Sequence, residues 1–80
     1  MGKEERRVAA QRIGARIRKR RKALKLSGFA VADAASVSRY HYYVIERGEK
    51  YPHIDTLERI ATALGVSLRC LMFGKNGGVK

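Results

Sequence analysis

Apolar residues fall along the chain in five short helical runs. From about Val8, Ile13, Ile17 and Leu24 recur at helical spacing among Ala9, Ala10, Ala15 and Ala23. The polar residues 1–7 ahead of them read as a frayed arm, although Glu4 and Glu5 suit the positive end of a helix dipole. Lys25-Leu26 ends this first helix, and Ser27 is a good N-cap for a very short second one, Gly28 to Ala35, with Val31, Ala32 and Ala35 inward. Ser36-Val37-Ser38 makes a turn, and Ser38 caps a third helix, Arg39 to Arg47, closed by Gly48. Beyond the loop containing Pro52, Ile54, Leu57, Ile60, Ala61 and Leu64 define a fourth helix that Gly65 ends. Ser67 caps a last turn and a half carrying Leu68, Leu71, Met72 and Phe73. Residues 8–74 thus read as one all-α, five-helix domain, and 75–80 as a flexible tail.

Two charges interrupt the apolar faces. Arg21 lies on the Ile13–Ile17–Leu24 face, and Glu46 shares a face with Val37, Tyr42 and Ile45. Each needs an opposite partner, so the pattern predicts an Arg21–Glu46 ion pair between the first and third helices.

Charge then narrows the chemistry. The chain has 18 basic and 7 acidic residues, net +11, and residues 1–25 carry 11 of the basic and 2 of the acidic side chains. Arg12, Arg16 and Arg20 form one i,i+4 stripe, while Arg18, Lys22 and Lys25 form another. A basic block of this kind suits a polyanion, nucleic acid ahead of a membrane surface. Residues 6–25 have too few large apolar side chains on one face for firm membrane insertion. No apolar run approaches a membrane span, and the N-terminus is too charged for a signal peptide. One cysteine, Cys70, supports neither a disulfide framework nor a metal site, and neither His41 nor His53 has a second ligand at metal spacing. These features fit a reducing cytoplasm and predict no cofactor or metal. Ser27, Ser36, Ser38, Asp33 and His41 lack a nucleophile elbow, so no enzyme activity is expected.

Two short helices around a tight turn, within five, resemble the lambda-repressor-like (Xre/Cro-type) helix-turn-helix family. The resemblance runs through Ile13-Gly14, Leu26-Ser27, Val37-Ser38-Arg39, Ile45-Glu46-Arg47-Gly48, Pro52, Leu57, Ile60-Ala61 and Ala63-Leu64-Gly65-Val66-Ser67. It implies a sequence-specific transcriptional regulator, most often a repressor, that binds double-stranded DNA as a homodimer. The resemblance also implies an inward pair at Arg21 and Glu46, and a core role for Tyr42, where the family has Ile or Leu. Helix 38–47 would enter the major groove, with Ser38, Arg39, Tyr40, Tyr43 and Val44 facing the bases. Arg39 is a candidate for bidentate contact with guanine, or alternatively for phosphate. Phosphate contacts are expected from the Gly28 and Phe29 amides, from Arg47 and Lys50, and from Arg20 and Lys22 within the cluster 18–22. Arg12 and Arg16 are as readily read as solvated.

The chain departs from the family at Gly28, where Gln is usual, and at Phe29, a position otherwise polar. Ser36 stands where Gly is common, which costs on the order of 1 kcal/mol if the turn needs positive φ. Val44 replaces a frequent hydrogen-bonding reader. Exposed Phe29, Tyr40 and Tyr43 keep an alternative open, an antitoxin-like module with a protein partner that also binds its own promoter. Leu71, Met72 and Phe73 are candidates for a dimer contact or for completing the core. The chain is expected to be either a minimal regulator or the DNA-binding part of a longer one.

Overall fold

The computed structural model describes residues 2–74; the expected tail, 75–80, lies outside them. Five helices follow one another: α1 Lys3–Ala23, α2 Gly28–Ala35, α3 Arg39–Glu46, α4 Ile54–Leu64 and α5 Leu68–Phe73. The all-α, five-helix architecture matches the sequence pattern. One boundary differs. Residues 3–7, expected as an arm, are the first turns of α1. The Glu5 carboxylate accepts the Gly2 N–H at 2.8 Å, Glu4 pairs with Arg7 at 2.7 Å, and the Arg6 guanidinium lies 5.9 Å from the Tyr51 ring centre. Two local contacts and one with the loop before α4 thus accompany a helix start that has no apolar period of its own.

Serine oxygens cap three helices. Ser27, Ser38 and Ser67 accept from the N–H groups of Ala30, His41 and Cys70 at 3.0, 3.1 and 3.1 Å. Four helices end in the same pair of backbone hydrogen bonds around a left-handed residue. Gly48 and Gly65 fill that position after α3 and α4, but Lys25 and Ser36 fill it after α1 and α2, with φ of 60° and 58°. The turn between α2 and α3 therefore does require positive φ from a serine.

α1 packs on α3, α4 and α5, and α2 lies against α3 and α4. Ile13, Ile17, Val31, Ala35, Tyr42, Ile45, Leu57, Ile60, Leu64 and Leu71 form one continuous core. Tyr42 is fully buried, as the resemblance implied. Of the three C-terminal apolar residues, Leu71 completes the core, Met72 is half-buried and Phe73 is exposed.

Close approach locks α1 onto the end of α3. A Cβ at Gly14 would stand 2.5 Å from the Glu46 carbonyl oxygen and 2.6 Å from that of Ile45. At this contact the predicted ion pair forms and is bidentate. Arg21 Nε donates to Glu46 Oε2 at 2.7 Å and Nη2 to Oε1 at 2.9 Å, while the Tyr42 hydroxyl donates to Oε2 at 2.6 Å. Burial alone would raise the Glu46 carboxyl, but the hydrogen bonds from Arg21 and Tyr42 outweigh it and hold the group below its ordinary value. Burial, helped by the hydrogen bond to Glu46, pushes the Tyr42 phenol up.

Part of the basic block turns out to be structural. Arg16 Nη1 donates to the Leu71 and Met72 carbonyls at 3.0 and 2.7 Å, and Arg20 Nε donates to the Leu64 carbonyl at 3.0 Å. Arg59 Nε does the same for Ala35 at 2.9 Å. Each arginine satisfies carbonyls at the C-terminal end of another helix, where cations are favoured. Arg20, expected at a phosphate, uses its Nε in this way. It is half-buried and committed to the end of α4.

Candidate nucleic-acid interface

α2, the Ser36-Val37-Ser38 turn and α3 form a rigid unit because both helix starts carry serine caps and Ala32 accepts the Val37 N–H at 2.9 Å across the turn. The buried edge of α3 is Tyr42, Ile45 and Glu46, which leaves its N-terminal half to project. Ser38, Arg39 and Tyr40 are exposed there, Tyr40 at 79%. Arg47 and Lys50 are exposed beyond its C-terminal end, and Lys22 is exposed on α1. Arg47 pairs at the surface with Glu49, its Nε donating at 2.9 Å, so its guanidinium carries a local counter-charge.

Val44 departs from expectation. It was placed with the base-facing residues, yet it is only 9% exposed. In the last turn of α3 the chain folds back, the Glu49 N–H donating to the Val44 carbonyl at 3.1 Å.

The departures from the family pattern at Gly28 and Phe29 meet Tyr43. A Cβ at Gly28 would stand 2.5 Å from Tyr43 Cζ and 2.7 Å from Cε1, and would run into the hydroxyl. The Tyr43 ring therefore occupies the space that a side chain at position 28 would need. Tyr43 is half-buried as a result, and it meets Tyr42 edge-on at 5.4 Å and Phe29 edge-on at 6.1 Å between ring centres. Phe29 is half-exposed, and the Arg39 guanidinium lies 4.3 Å from its ring centre. Arg39 Nη2 also reaches Asp33 Oδ2 at 3.4 Å. Arg39 is thus drawn over α2, an arrangement that helical periodicity within α3 could not disclose.

Tyr43 further borders a groove between α1 and α3 lined by Arg18, Arg21, Glu46 and Arg47. Arg18 on α1 and Arg47 just past the end of α3 bring positive charge to this groove. Arg18, from the second basic stripe of α1, thus supplies a cation on this side, while Arg16 and Arg20 of the first stripe meet helix-end carbonyls. Among the described residues no group of His, Cys, Asp and Glu side chains could hold a metal ion, and no helix is long and apolar enough to cross a membrane.

The fold and this exposed helix pair define a helix-turn-helix domain. Residues 12–71 match the helix-turn-helix domain family, and the chain belongs to this DNA-binding class. The chain is 37% identical over 60 residues to the immunity repressor protein of Bacillus phage phi105, a match covering 75% of this chain and 42% of that protein. It therefore spans less than half the length of this relative. Its structure is similar to that of the restriction-modification controller protein C.AhdI from Aeromonas hydrophila, with a TM-score of 0.77 and 28% identity over 80% of this chain and 97% of the other.

Proposed function

We propose that the chain is a cytoplasmic, sequence-specific repressor that binds its operator as a homodimer and inserts α3 in the major groove. The exposed start of α3, with Arg39 and Tyr40 projecting from a serine-capped first turn, carries this reading. Ser38, Arg39, Tyr40 and Tyr43 face the base edges, with Arg39 as the reader of a guanine through its planar pair of donors. The Gly28 and Phe29 amides at the start of α2, together with Arg18, Lys22, Arg47 and Lys50, contact phosphates. Each neutralised phosphate adds about 0.9 to the slope of log affinity against log salt. The similarity to an immunity repressor supports repression, and exposed Phe73 is a dimer-contact candidate.

Selection of bound fragments from random duplex DNA tests this. A palindromic consensus is expected, with half-sites about one helical turn apart. Absence of any enriched sequence at physiological salt overturns specific reading. The exposed rings of Phe29 and Tyr40 favour one second reading, an antitoxin-like module that also holds a protein partner. Stoichiometric co-purification of an acidic protein from the native host is its test.

A further inference from the structure

Arg39 is the most versatile side chain of the exposed surface, and by itself it is poorly specified. An exposed arginine samples many rotamers, and a long flexible side chain loses much of that freedom when it forms a fixed contact. Here the freedom is already restricted. Its guanidinium is held 4.3 Å from the Phe29 ring centre, and Nη2 reaches Asp33 at 3.4 Å. Phe29 in turn meets the edge of Tyr43, whose ring is seated on Gly28. Gly28, Tyr43, Phe29 and Arg39 thus form one run of contacts from the start of α2 to the start of α3.

We propose that Phe29 is a specificity-determining positioning residue, an aromatic platform on α2 that presents the Arg39 guanidinium to one base pair. The proposal rests on base reading by Arg39. A flat ring suits this task because a planar cation lies over it without using its N–H donors, which stay available for a guanine edge. Among the described residues the guanidinium donates only to Asp33, at a distance near the limit of a hydrogen bond. That exposed ion pair, with side chains 56% and 64% accessible, holds weakly and yields readily to a base. Asp33 orients the unbound side chain, and Phe29 keeps the plane.

The test uses the selected duplex and a second duplex altered at the base pair assigned to Arg39, with Phe29→Ala, Phe29→Tyr, Arg39→Ala and the double variant Phe29→Ala/Arg39→Ala. Phe29→Ala is expected to weaken binding to the selected duplex by about 2- to 5-fold, the size of an exposed cation–π contact. It should leave the altered duplex nearly unaffected, and Phe29→Tyr should retain the preference. In the Arg39→Ala background the same alanine change should leave the remaining preference unmoved. Equal weakening on both duplexes, or additive effects of the two changes, overturns the platform and leaves Phe29 a backbone or packing contact. If Arg39→Ala itself leaves the preference intact, base reading by Arg39 fails, and the platform with it.

Discussion

At its C-terminal end α3 is gripped by α1: Glu46 is 6% accessible, takes two hydrogen bonds from Arg21 and one from Tyr42, and its carbonyl abuts Gly14. At its N-terminal end the same helix shows the solvent Arg39 and Tyr40, and its contacts with α2 are a cation over a ring and an ion pair at 3.4 Å. The two ends lie only seven residues apart. One is a buried charge network in which every group is satisfied, and it fixes the axis of the helix. The other is a loosely held surface that can exchange its partners for DNA. A reading helix needs both, since side chains meet base edges in register only when the helix is held from elsewhere.

The largest expected effect comes from unbalancing the locked end. Glu46→Gln leaves Arg21 facing the interior without its counter-charge, a change that commonly costs about 3–5 kcal/mol. For an 80-residue chain, whose whole stability is expected near 4–12 kcal/mol, that is a severe loss, readable by chemical denaturation. Arg39→Ala at the open end should leave the melting temperature within about 2–4 °C of the parent, since surface changes rarely exceed about 0.5 kcal/mol. It should instead cost about 1–3 kcal/mol of binding at one base pair. Equal destabilisation by the two variants would abolish the contrast. The locked end also has a pH signature. Glu46 is lowered below its ordinary 4.5, so its stabilisation is complete above about that pH and is lost as pH falls through the folded value. Acid unfolding of Glu46→Gln should therefore show a shallower dependence below pH 4.5 than that of the parent.

Next in size is Gly14→Ala. The added methyl meets backbone carbonyls, which cannot step aside as a side-chain tip can. Overpacking of this kind typically costs about 1–3 kcal/mol, part of it offset by the better helix propensity of alanine. A thermal melt equal to that of the parent would show that α1 and α3 have slack between them.

The locked end was legible in the sequence and the open end only in part. Arg21 and Glu46 stood out because each broke an apolar period, and two misfit charges of opposite sign predict each other. Ser27, Ser38, Gly48 and Gly65 marked helix boundaries through local chemistry that acts within a few residues. The misses depend on distances between segments far apart in the chain. Arg20 was expected to reach a phosphate, and the carbonyl that its Nε meets, at the end of α4, lies 44 residues away. Val44 takes its place among the base-facing residues from a pattern, and its burial, at 9% exposed, is not part of that pattern. The helix end at Lys25-Leu26 was placed correctly, but the left-handed conformation of Lys25 had no glycine to announce it. The Phe29–Arg39 contact joins two elements that periodicity treats separately.

A smaller effect is expected at the turn between the two short helices. Ser36 adopts φ 58° and ψ 43°, a conformation that costs a non-glycine residue roughly 1–2 kcal/mol. Glycine relieves that strain but loses more backbone freedom on folding, so Ser36→Gly should raise stability by about 1 kcal/mol or less. A net loss in a denaturation experiment would mean that the serine makes a contact outweighing its strain.

The smallest expected effect on stability, Gly28→Ala, separates the two ends most sharply. By distance alone it should be as harmful as Gly14→Ala, since the added methyl would fall on the Tyr43 ring. The obstacle here is the far end of a side chain that is only half-buried, and Tyr43 can rotate away. Alanine is also the better residue in the first turn of α2, so the net change should lie within about 0.5 kcal/mol. Rotation of Tyr43 removes the edge on which Phe29 rests, and the consequence should appear in DNA binding, with reduced preference at the base pair assigned to Arg39. Tyrosine fluorescence should report the moved ring at unchanged helicity. Gly28→Ala that unfolds the domain as readily as Gly14→Ala would show the start of α3 to be as tightly locked as its end, and the division between a fixed half and an adaptable half would fall.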